Sequence, residues 1–482
     1  MARLMAGRAS VTYSTNPTRA AASRSSRSRH WYTADVRVAT NRCYEARLAR
    51  GIPKTRDIRP ARPLRTLLAM DIQAPHAPHL PFSPAGEHLE DPYPYYAWAR
   101  EAEPVLFSPD LQMWCVTRYE DVSAILGDPK TFSSTDTIPE LGEPIPEVQA
   151  ALAGYRRLRN LLNMDPPDHI ALRGMVRQVF SPRRVAAMEP TVREVTAAVI
   201  DAFAADAHAD LVAQFAYPLP LTVIFRLLGI PEEDMDLLRQ WTSDLKLLHL
   251  ARRLPAERQV QLARNVVAYQ EYIEGLTSDR KATLGEDLVS YLIEAGAEDG
   301  DAPLSLFQVA DQVQGLVIAG HETSANAIGN ILHLLLAEPA RWRAVCDDPA
   351  IIDATVEEGL RADSAISGMI RTATRPVTIG GVQLPDGARL FLLFGSANTD
   401  ERAFPDASQF QLDRSGQPAH LAFGRGIHYC VGAPLARLEA RVALEELTRR
   451  LPTLRLDPDV RLRHVPTPLF RSFASLPVRW QA

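Results

Sequence analysis

Apolar residues recur every three or four positions through much of the chain after residue 165, which is the spacing of an amphipathic helix. The segments with this spacing are 170–180, 185–204, 219–228, 232–249 and 258–277. A longer segment begins after Ser305, which together with Gln308 forms a capping-box pattern. It extends to about residue 337, on the order of 48 Å of helix at 1.5 Å per residue. The pattern predicts a mainly helical protein with one long central helix.

Short apolar and β-branched runs predict a smaller β region. Residues 105–107 and 113–117 flank a Pro-Asp turn, which indicates a hairpin. A second hairpin is expected across Gly380 and Gly381, and residues 389–393 have the composition of a buried strand. The expected fold class is therefore mainly α with a smaller β-rich region.

Composition narrows the class of protein. Hydrophobic residues make up 46% of the 482 residues and charged residues 23%, as in ordinary globular proteins. A chain of this length can hold two or three domains. No apolar run approaches the roughly 18–20 residues that would span a bilayer. The four cysteines, Cys43, Cys115, Cys346 and Cys430, are too scattered for a disulfide framework, so we expect a reducing, cytoplasmic compartment.

Charge is distributed unevenly along the chain. Residues 1–69 hold 15 of its 53 Lys and Arg residues but only 3 of its 58 Asp and Glu residues. We expect this segment to be a disordered basic extension. A transit peptide, or a tail that contacts nucleic acid or membrane, would have a similar composition. We favour a native translation start at Met70. The remaining 38 basic and 55 acidic residues form an acidic body, which argues against general nucleic-acid binding.

The most specific chemistry lies in the run Phe-Gly-Arg-Gly-Ile-His-Tyr-Cys-Val-Gly at residues 423–432. Gly424, Gly426 and Gly432 permit positive φ, so the loop can fold tightly and point amide N–H groups at the sulfur of Cys430. A helix predicted to start near Pro434 places its N-terminus close to that sulfur, which favours a thiolate. From these residues alone, Cys430 is either a metal-binding cysteinate or a buried structural cysteine.

With the Ala-Pro-Leu-Ala-Arg-Leu-Glu that follows, this run closely resembles the haem-binding signature of the cytochromes P450 of the soluble bacterial type. The resemblance implies that Cys430 is the proximal thiolate ligand of haem b iron, and that His428, Phe423 and Gly424 bind the cofactor. It covers roughly residues 78–480. It therefore implies one catalytic domain at 70–482, a prism of helices around haem.

A second motif, Ala-Gly-His-Glu-Thr at residues 319–323, lies at the centre of the long predicted helix. An acid–alcohol pair in an apolar helix either faces a cavity or belongs to a polar patch that satisfies itself. The motif resembles the family's oxygen-activation site, which implies that Thr323 donates a hydrogen bond to bound oxygen and that Glu322 supplies protons through water. His321 is expected to pack. The resemblance also implies a cover loop at 132–164 and a substrate pocket lined by Ala319, Gly320, Ile366, Phe394 and Phe470.

Other positions match the family's cofactor and core contacts. His169 and Arg173 share one helix face, as a solvated pair or, as the resemblance implies, as a clamp for a haem propionate. Arg371 matches a strand arginine on the second propionate. Glu358 and Arg361 match the structural Glu-x-x-Arg pair.

One position departs from the family pattern. Gln409 stands where family members usually place an arginine that completes a Glu–Arg–Arg cluster. We therefore expect the cluster to lose one charge.

The resemblance implies a monooxygenase that inserts one atom of O2 into a C–H or C=C bond of a mid-sized apolar organic substrate, as in secondary metabolism. No flavin or ferredoxin module is evident after Cys430, so two electrons are expected from a separate ferredoxin and its NAD(P)H-dependent reductase. Peroxide-driven oxidation or oxidative coupling on the same haem stays open, as does a haem sensor or carrier. The sensor is disfavoured because it has no use for Glu322 and Thr323.

Five arginines could receive the electron donor. They form either a basic patch for an acidic ferredoxin or a scatter of solvated side chains: Arg177, Arg183, Arg184, Arg437 and Arg441.

Overall fold

The computed structural model describes residues 81–135, 137, 144–156, 158–250, 254–298 and 304–481. The predicted basic extension at 1–69 and the proposed start at Met70 lie outside these residues and stay predictions.

Helices dominate the described part of the chain. The first are α1 (Tyr93–Ala102), α2 (Tyr119–Gly127), α3 (Pro146–Ala151), α4 (Asp168–Val179) and α5 (Pro182–Asp201). They are followed by α6 (Pro218–Leu227), α7 (Met235–Leu250), α8 (Ala256–Ala282), α9 (Leu288–Glu298) and α10 (Leu306–Leu336). The last are α11 (Pro339–Asp347), α12 (Ile352–Ala362), α13 (Phe394–Ala397) and α14 (Ala433–Arg450).

The long helix α10 is the centre of the fold, as its pattern predicts. The Ser305 hydroxyl accepts from the Gln308 N–H at 3.3 Å, and Gln308 Oε1 accepts from the Ser305 N–H at 2.9 Å, which confirms the capping box. Along its 31 residues α10 packs against α6, α8, α12 and α14. Its side chains Val313, Val317 and Ile328 belong to the main apolar cluster. Burial on several sides explains why the helix is apolar around much of its circumference.

In the described part of the chain, strands form three small sheets. The largest has the order β1-β2-β8-β5-β3, where β2 and β8 are parallel and the other neighbours antiparallel. Its strands are β1 (Val105–Ser108), β2 (Met113–Val116), β3 (Phe132–Ser133), β5 (Gly368–Ala373) and β8 (Arg389–Leu393). A hairpin joins β6 (Val377–Ile379) to β7 (Val382–Leu384), and a third sheet contains β4 (His208–Asp210), β10 (Pro477–Arg479) and β9 (Arg455–Leu456). Both predicted hairpins and the strand at 389–393 are confirmed.

Two features differ from the sequence prediction. Helix α9 was not predicted, because it has only 11 residues and depends on packing against α4, α8 and α10. The start of the helix predicted at 232 is a 3-10 turn, Glu232–Asp234, before α7 begins.

None of the described helices is long and apolar enough to cross a bilayer.

Candidate active site

Two glycines shape the loop that carries Cys430. Gly424 and Gly426 have φ of +69° and +72°, in the region that favours glycine. A Cβ atom on Gly426 would lie 2.4 Å from the carbonyl oxygen of Leu126, so glycine is also needed for the close approach of the loop to α2. The Cys430 N–H donates to the Phe423 carbonyl at 3.0 Å and closes the loop. Gly432 has φ of −84°, so the positive φ that glycine permits is not used at this position.

The Cys430 sulfur receives the amide contacts that the sequence predicted. The N–H groups of Gly432 and Ala433, at the start of α14, hydrogen-bond to it. Cys430 is exposed as a residue and forms no disulfide. Nevertheless, the surrounding protein raises the pKa of the thiol by burial, against the lowering effect of the two amides and Arg173. The helix N-terminus alone therefore does not make a thiolate here; a coordinated metal ion, which displaces the thiol proton, would.

Helix α4 brings two predicted side chains to the cysteine loop. The rings of His169 and His428 lie 4.1 Å apart, and Arg173 donates to the carbonyl oxygen of Tyr429. His428 Nε2 is 3.0 Å from the hydroxyl oxygen of Ser134, a contact that sequence reasoning missed. His169 is fully buried, and neither of its ring nitrogens has a hydrogen-bond partner among the described residues.

Arg371 on β5 is a buried cation in the same region. Its side chain donates to the Ile370 carbonyl at 2.7 Å and to the Thr137 hydroxyl at 3.3 Å, and it forms no ion pair within the described residues. Desolvation lowers the pKa of Arg371 to about 10. Burial, followed by the charges of Arg371 and its neighbours, lowers the pKa of His428 to about 3, so this imidazole is neutral. Such a site favours an added anion.

Thr323 lies on α10 with its hydroxyl donating to the Ala319 carbonyl at 2.7 Å. Ala319 is exposed, and a Cβ atom on Gly320 would meet only the Ile224 Cδ1 atom, at 4.0 Å. His321 is buried, with Nδ1 2.7 Å from the Val317 carbonyl oxygen, which agrees with a packing role. Small residues therefore leave this part of the helix open beside Thr323.

The predicted pocket residues divide into two groups. Ile366 and Phe470 form a backbone bridge to each other and are partly exposed. Both residues lie on segments that are hydrogen-bonded to α10. The side-chain amide of Asn330, on α10, donates to the carbonyl oxygens of residues 363 and 471 at 3.1 and 3.0 Å. Phe394 has 2% of its surface exposed and packs within the apolar cluster of the main sheet, and its assignment to the pocket stays a prediction.

The buried ion cluster corrects the expectation about Gln409. The carboxylate of Glu358 accepts two hydrogen bonds from Arg361, both at 2.7 Å. Arg414 supplies the third member, with its Nε and one terminal nitrogen 2.8 and 3.1 Å from the same carboxylate. Gln409 contributes only its backbone carbonyl, at 2.7 Å from Arg414. The cluster therefore keeps its second arginine, which is Arg414, five positions after Gln409 in the chain.

Sequence reasoning missed Glu439 on α14. It has 1% of its surface exposed and hydrogen-bonds to Ser324 on α10. The contact joins the helix that begins after Cys430 to the helix that carries Thr323. The signal was present: Glu439 lies in the apolar stripe of Leu435, Leu438 and Val442, where an acidic residue is unexpected.

Three of the five predicted patch arginines have partners within the protein. Arg437 pairs with Glu357, Arg441 pairs with Glu189 at 2.8 Å, and the Arg184 guanidinium lies 3.7 Å from the ring centre of Tyr291. Arg177 and Arg183 are exposed.

Comparisons with known proteins show the family of this chain. A family model described as Cytochrome P450 matches residues 110–346 and 350–469. The chain is 36% identical over 401 residues to cytochrome P450 monooxygenase PikC of Streptomyces venezuelae, covering 81% of this chain and 91% of the relative. It is 37% identical over 373 residues to mycinamicin IV hydroxylase/epoxidase of Micromonospora griseorubida, covering 77% and 90%.

A solved structure shows the same fold. The crystal structure of an intact type IV self-sufficient cytochrome P450 monooxygenase aligns with a TM-score of 0.78 at 37% identity. The alignment covers 84% of this chain and 53% of that one, so this chain spans about half the length of that enzyme.

The chain belongs to the cytochrome P450 family.

This P450 is a monooxygenase whose cofactor is haem b. Its residues fit the group. The iron would require a protein ligand, and Cys430 is a free, exposed cysteine. The two propionates require donors or cations, and the buried His169 nitrogens lack partners while the buried Arg371 lacks an anion within the described residues.

Proposed function

We propose that this P450 hydroxylates or epoxidises a mid-sized apolar organic molecule of secondary metabolism. The proposal is supported by the relative named as mycinamicin IV hydroxylase/epoxidase and by PikC, each about nine-tenths covered by this chain.

Two electrons would come from a separate ferredoxin and its NAD(P)H-dependent reductase. Arg177 and Arg183 are the exposed cations best able to meet an acidic ferredoxin, because Arg184, Arg437 and Arg441 already have partners. We expect the protein to work in the cytoplasm.

We propose that Cys430 binds the iron and that four side chains hold the propionates. His169 offers buried ring nitrogens, His428 a neutral imidazole, and Arg173 and Arg371 guanidinium groups. Phe423 and Gly424 would bind the cofactor through the loop that carries Cys430. Haem with a cysteine thiolate supplies oxygen activation, since electron density from sulfur favours O–O cleavage. The protein positions the cofactor and excludes water.

Thr323 and Glu322 are proposed to deliver protons at the open part of α10. The Thr323 hydroxyl donates to Ala319 in the structure, and rotation about its C–O bond would redirect the proton toward the open side of α10. Glu322 would renew that proton through water. Ala319 and Gly320 leave the space that a substrate carbon beside Thr323 needs.

The observation that carries the proposal is the environment of the loop that presents Cys430. His169, whose ring nitrogens have no hydrogen-bond partner among the described residues, contacts His428 of that loop. Arg371, which has no ion pair among the same residues, lies close enough to lower the pKa of His428. The test uses purified, haem-loaded protein. The reduced, carbon-monoxide-treated protein should show the absorbance band typical of thiolate ligation, and Cys430→Ala should lose it. Cys346→Ala is the matched control, because this free cysteine lies on α11, and it should keep the band.

Turnover is measured with a surrogate ferredoxin, its reductase and NADPH against a panel of apolar compounds chosen by spectral shift. Oxygenated product from at least one compound is expected. Thr323→Ala should keep the carbon-monoxide band while product per NADPH falls on the order of 10-fold or more. Product formed only with added peroxide, or haem bound without turnover, would overturn the proposal in favour of a peroxide-driven enzyme or a sensor.

A further inference from the structure

A short cover segment lies across helices α8 and α10. We use this name for Arg156, Arg159 and Asn160, which follow α3. Helix α3 is itself anchored, because Val148 is 2% exposed and packs with Leu245 of α7 and Leu262 of α8. The cover segment and α3 therefore share α8 as a support, while α3 also packs on α7 and the cover segment also contacts α10.

Arg156 makes four polar contacts with side chains of α8 and α10. Its guanidinium lies 2.7 Å from the Asp311 carboxylate on α10 and 2.8 Å from the Glu274 carboxylate on α8. Its backbone N–H donates to Gln270 Oε1 at 2.8 Å, and its carbonyl accepts from Gln270 Nε2 at 2.9 Å. The Asp311 side chain is 4% exposed, so its charge depends on partners within the protein.

The contacts continue along one ridge of α10. Asp311, Gly315, Ala319 and Thr323 are each four residues apart, and residues at that spacing form a ridge on a helix. Asp311 also accepts from the Arg159 N–H at 3.3 Å, and a Cβ atom on Gly315 would lie 3.1 Å from Asn160 Cβ. The cover segment therefore occupies the first half of the ridge. Ala319 in the second half is exposed and Thr323 is partly exposed.

We propose that the ion pairs from Arg156 to Asp311 and Glu274 form a latch that sets how fast ligands enter and leave the space beside Thr323. The inference rests on the proposed function of that space. Lifting the cover segment breaks both ion pairs and the paired bonds to Gln270. Without the Arg156 charge, the buried Asp311 carboxylate gains hydration when the segment lifts, so the lifted state becomes more populated.

The latch is tested with Arg156→Gln in the full-length, haem-loaded protein. Arg159→Gln is the matched control, because that side chain is 74% exposed and, among the described residues, its ion pair is with the exposed Asp168, at 3.5 Å. Hydrogen–deuterium exchange of residues 144–165 should be about tenfold faster in Arg156→Gln, which corresponds to ~1.4 kcal/mol. The control should match the wild type.

Ligand kinetics are followed by stopped-flow absorbance with 4-phenylimidazole. Arg156→Gln should bind and release this probe about tenfold faster while its Kd changes less than threefold. The double variant Arg156→Gln with Asp311→Asn no longer has a buried carboxylate without its cationic partner. Its hydrogen–deuterium exchange rate should therefore return toward the wild-type value. Glu274→Gln, which removes one ion pair, should give a smaller change in the same direction.

The outcomes separate the latch from the proposed function. Unchanged exchange and unchanged probe kinetics in Arg156→Gln would overturn the latch even in a fully active enzyme. Faster exchange spread over the whole protein would also overturn it, because Arg156 would then contribute only to overall stability. Failure of the proposed function appears instead as haem binding without turnover in the wild type, and the exchange of residues 144–165 can still be measured.

Discussion

Replacement of Glu439 by glutamine should stabilise this P450 at neutral pH. The carboxyl group is buried between α14 and α10, and its Oε2 atom has no hydrogen-bond partner among the described residues. Desolvation raises the pKa of Glu439 from 4.5 to about 8, and the hydrogen bond with Ser324 offsets only part of this effect. Glutamine has nearly the same shape and no charge to desolvate.

The magnitude follows from proton linkage. Because the folded-state pKa lies above the unfolded-state value, the unfolded chain releases this proton first as pH rises. The contribution of Glu439 to stability is therefore complete below about pH 4.5 and declines until about pH 8. At ~1.4 kcal/mol per pH unit, the loss at pH 7 is about 3 kcal/mol. Local relaxation that admits water would reduce this loss. We therefore expect Glu439→Gln to raise the free energy of unfolding by about 1–3 kcal/mol at pH 7.

The assay is urea unfolding followed by circular dichroism at pH 5, 6, 7 and 8, on wild type and variant with equal haem content. The difference between their midpoints should be small at pH 5 and should grow to pH 8. Glu271→Gln is the matched control, because Glu271 is exposed on α8, and its difference should not vary with pH. A pH-independent difference for Glu439→Gln, or a destabilised variant at pH 8, would refute the reasoning.

Three further predictions use the same unfolding assay. Gly359→Ala should lower the free energy of unfolding by about 1–3 kcal/mol, because the new Cβ atom would lie 2.6 Å from Ile331 Cγ1. Gly329→Ala should raise the free energy of unfolding by about 0.5–1 kcal/mol, because a Cβ atom there meets no other atom within 4 Å. Equal midpoints for the two variants would contradict this. Glu358→Gln should cost about 3–5 kcal/mol, since Arg361 is 2% exposed and loses its charged partner; wild-type stability would show that the cluster does not need the charge. Ser305→Ala should cost about 1 kcal/mol through loss of the helix cap, and no change would mean that water replaces it.

Several parts of the fold followed from local sequence. The capping box at Ser305 forms between residues three apart in the chain, and the composition of residues 389–393 is that of a buried strand; both were predicted correctly. The loop around Cys430 also depends on local backbone conformation, and Gly424 and Gly426 adopt the positive φ expected of them. His169, Arg173 and His428 were predicted from the family resemblance, and the structure brings them together. Their roles toward haem stay predictions.

The sequence by itself therefore determined the helical class, the family motifs and the local loop that presents Cys430, since hydrogen bonds and φ values within a few residues decide such features. Only the tertiary structure decided which side chains meet across the fold. It assigned the third charge of the buried cluster to Arg414 rather than to the position of Gln409, and it placed Phe394 in the core of the sheet. It also joined Arg156 to Asp311, which is 155 residues away. The strength of each of these contacts depends on burial and on partners distant in the chain, and neither can be read from sequence spacing.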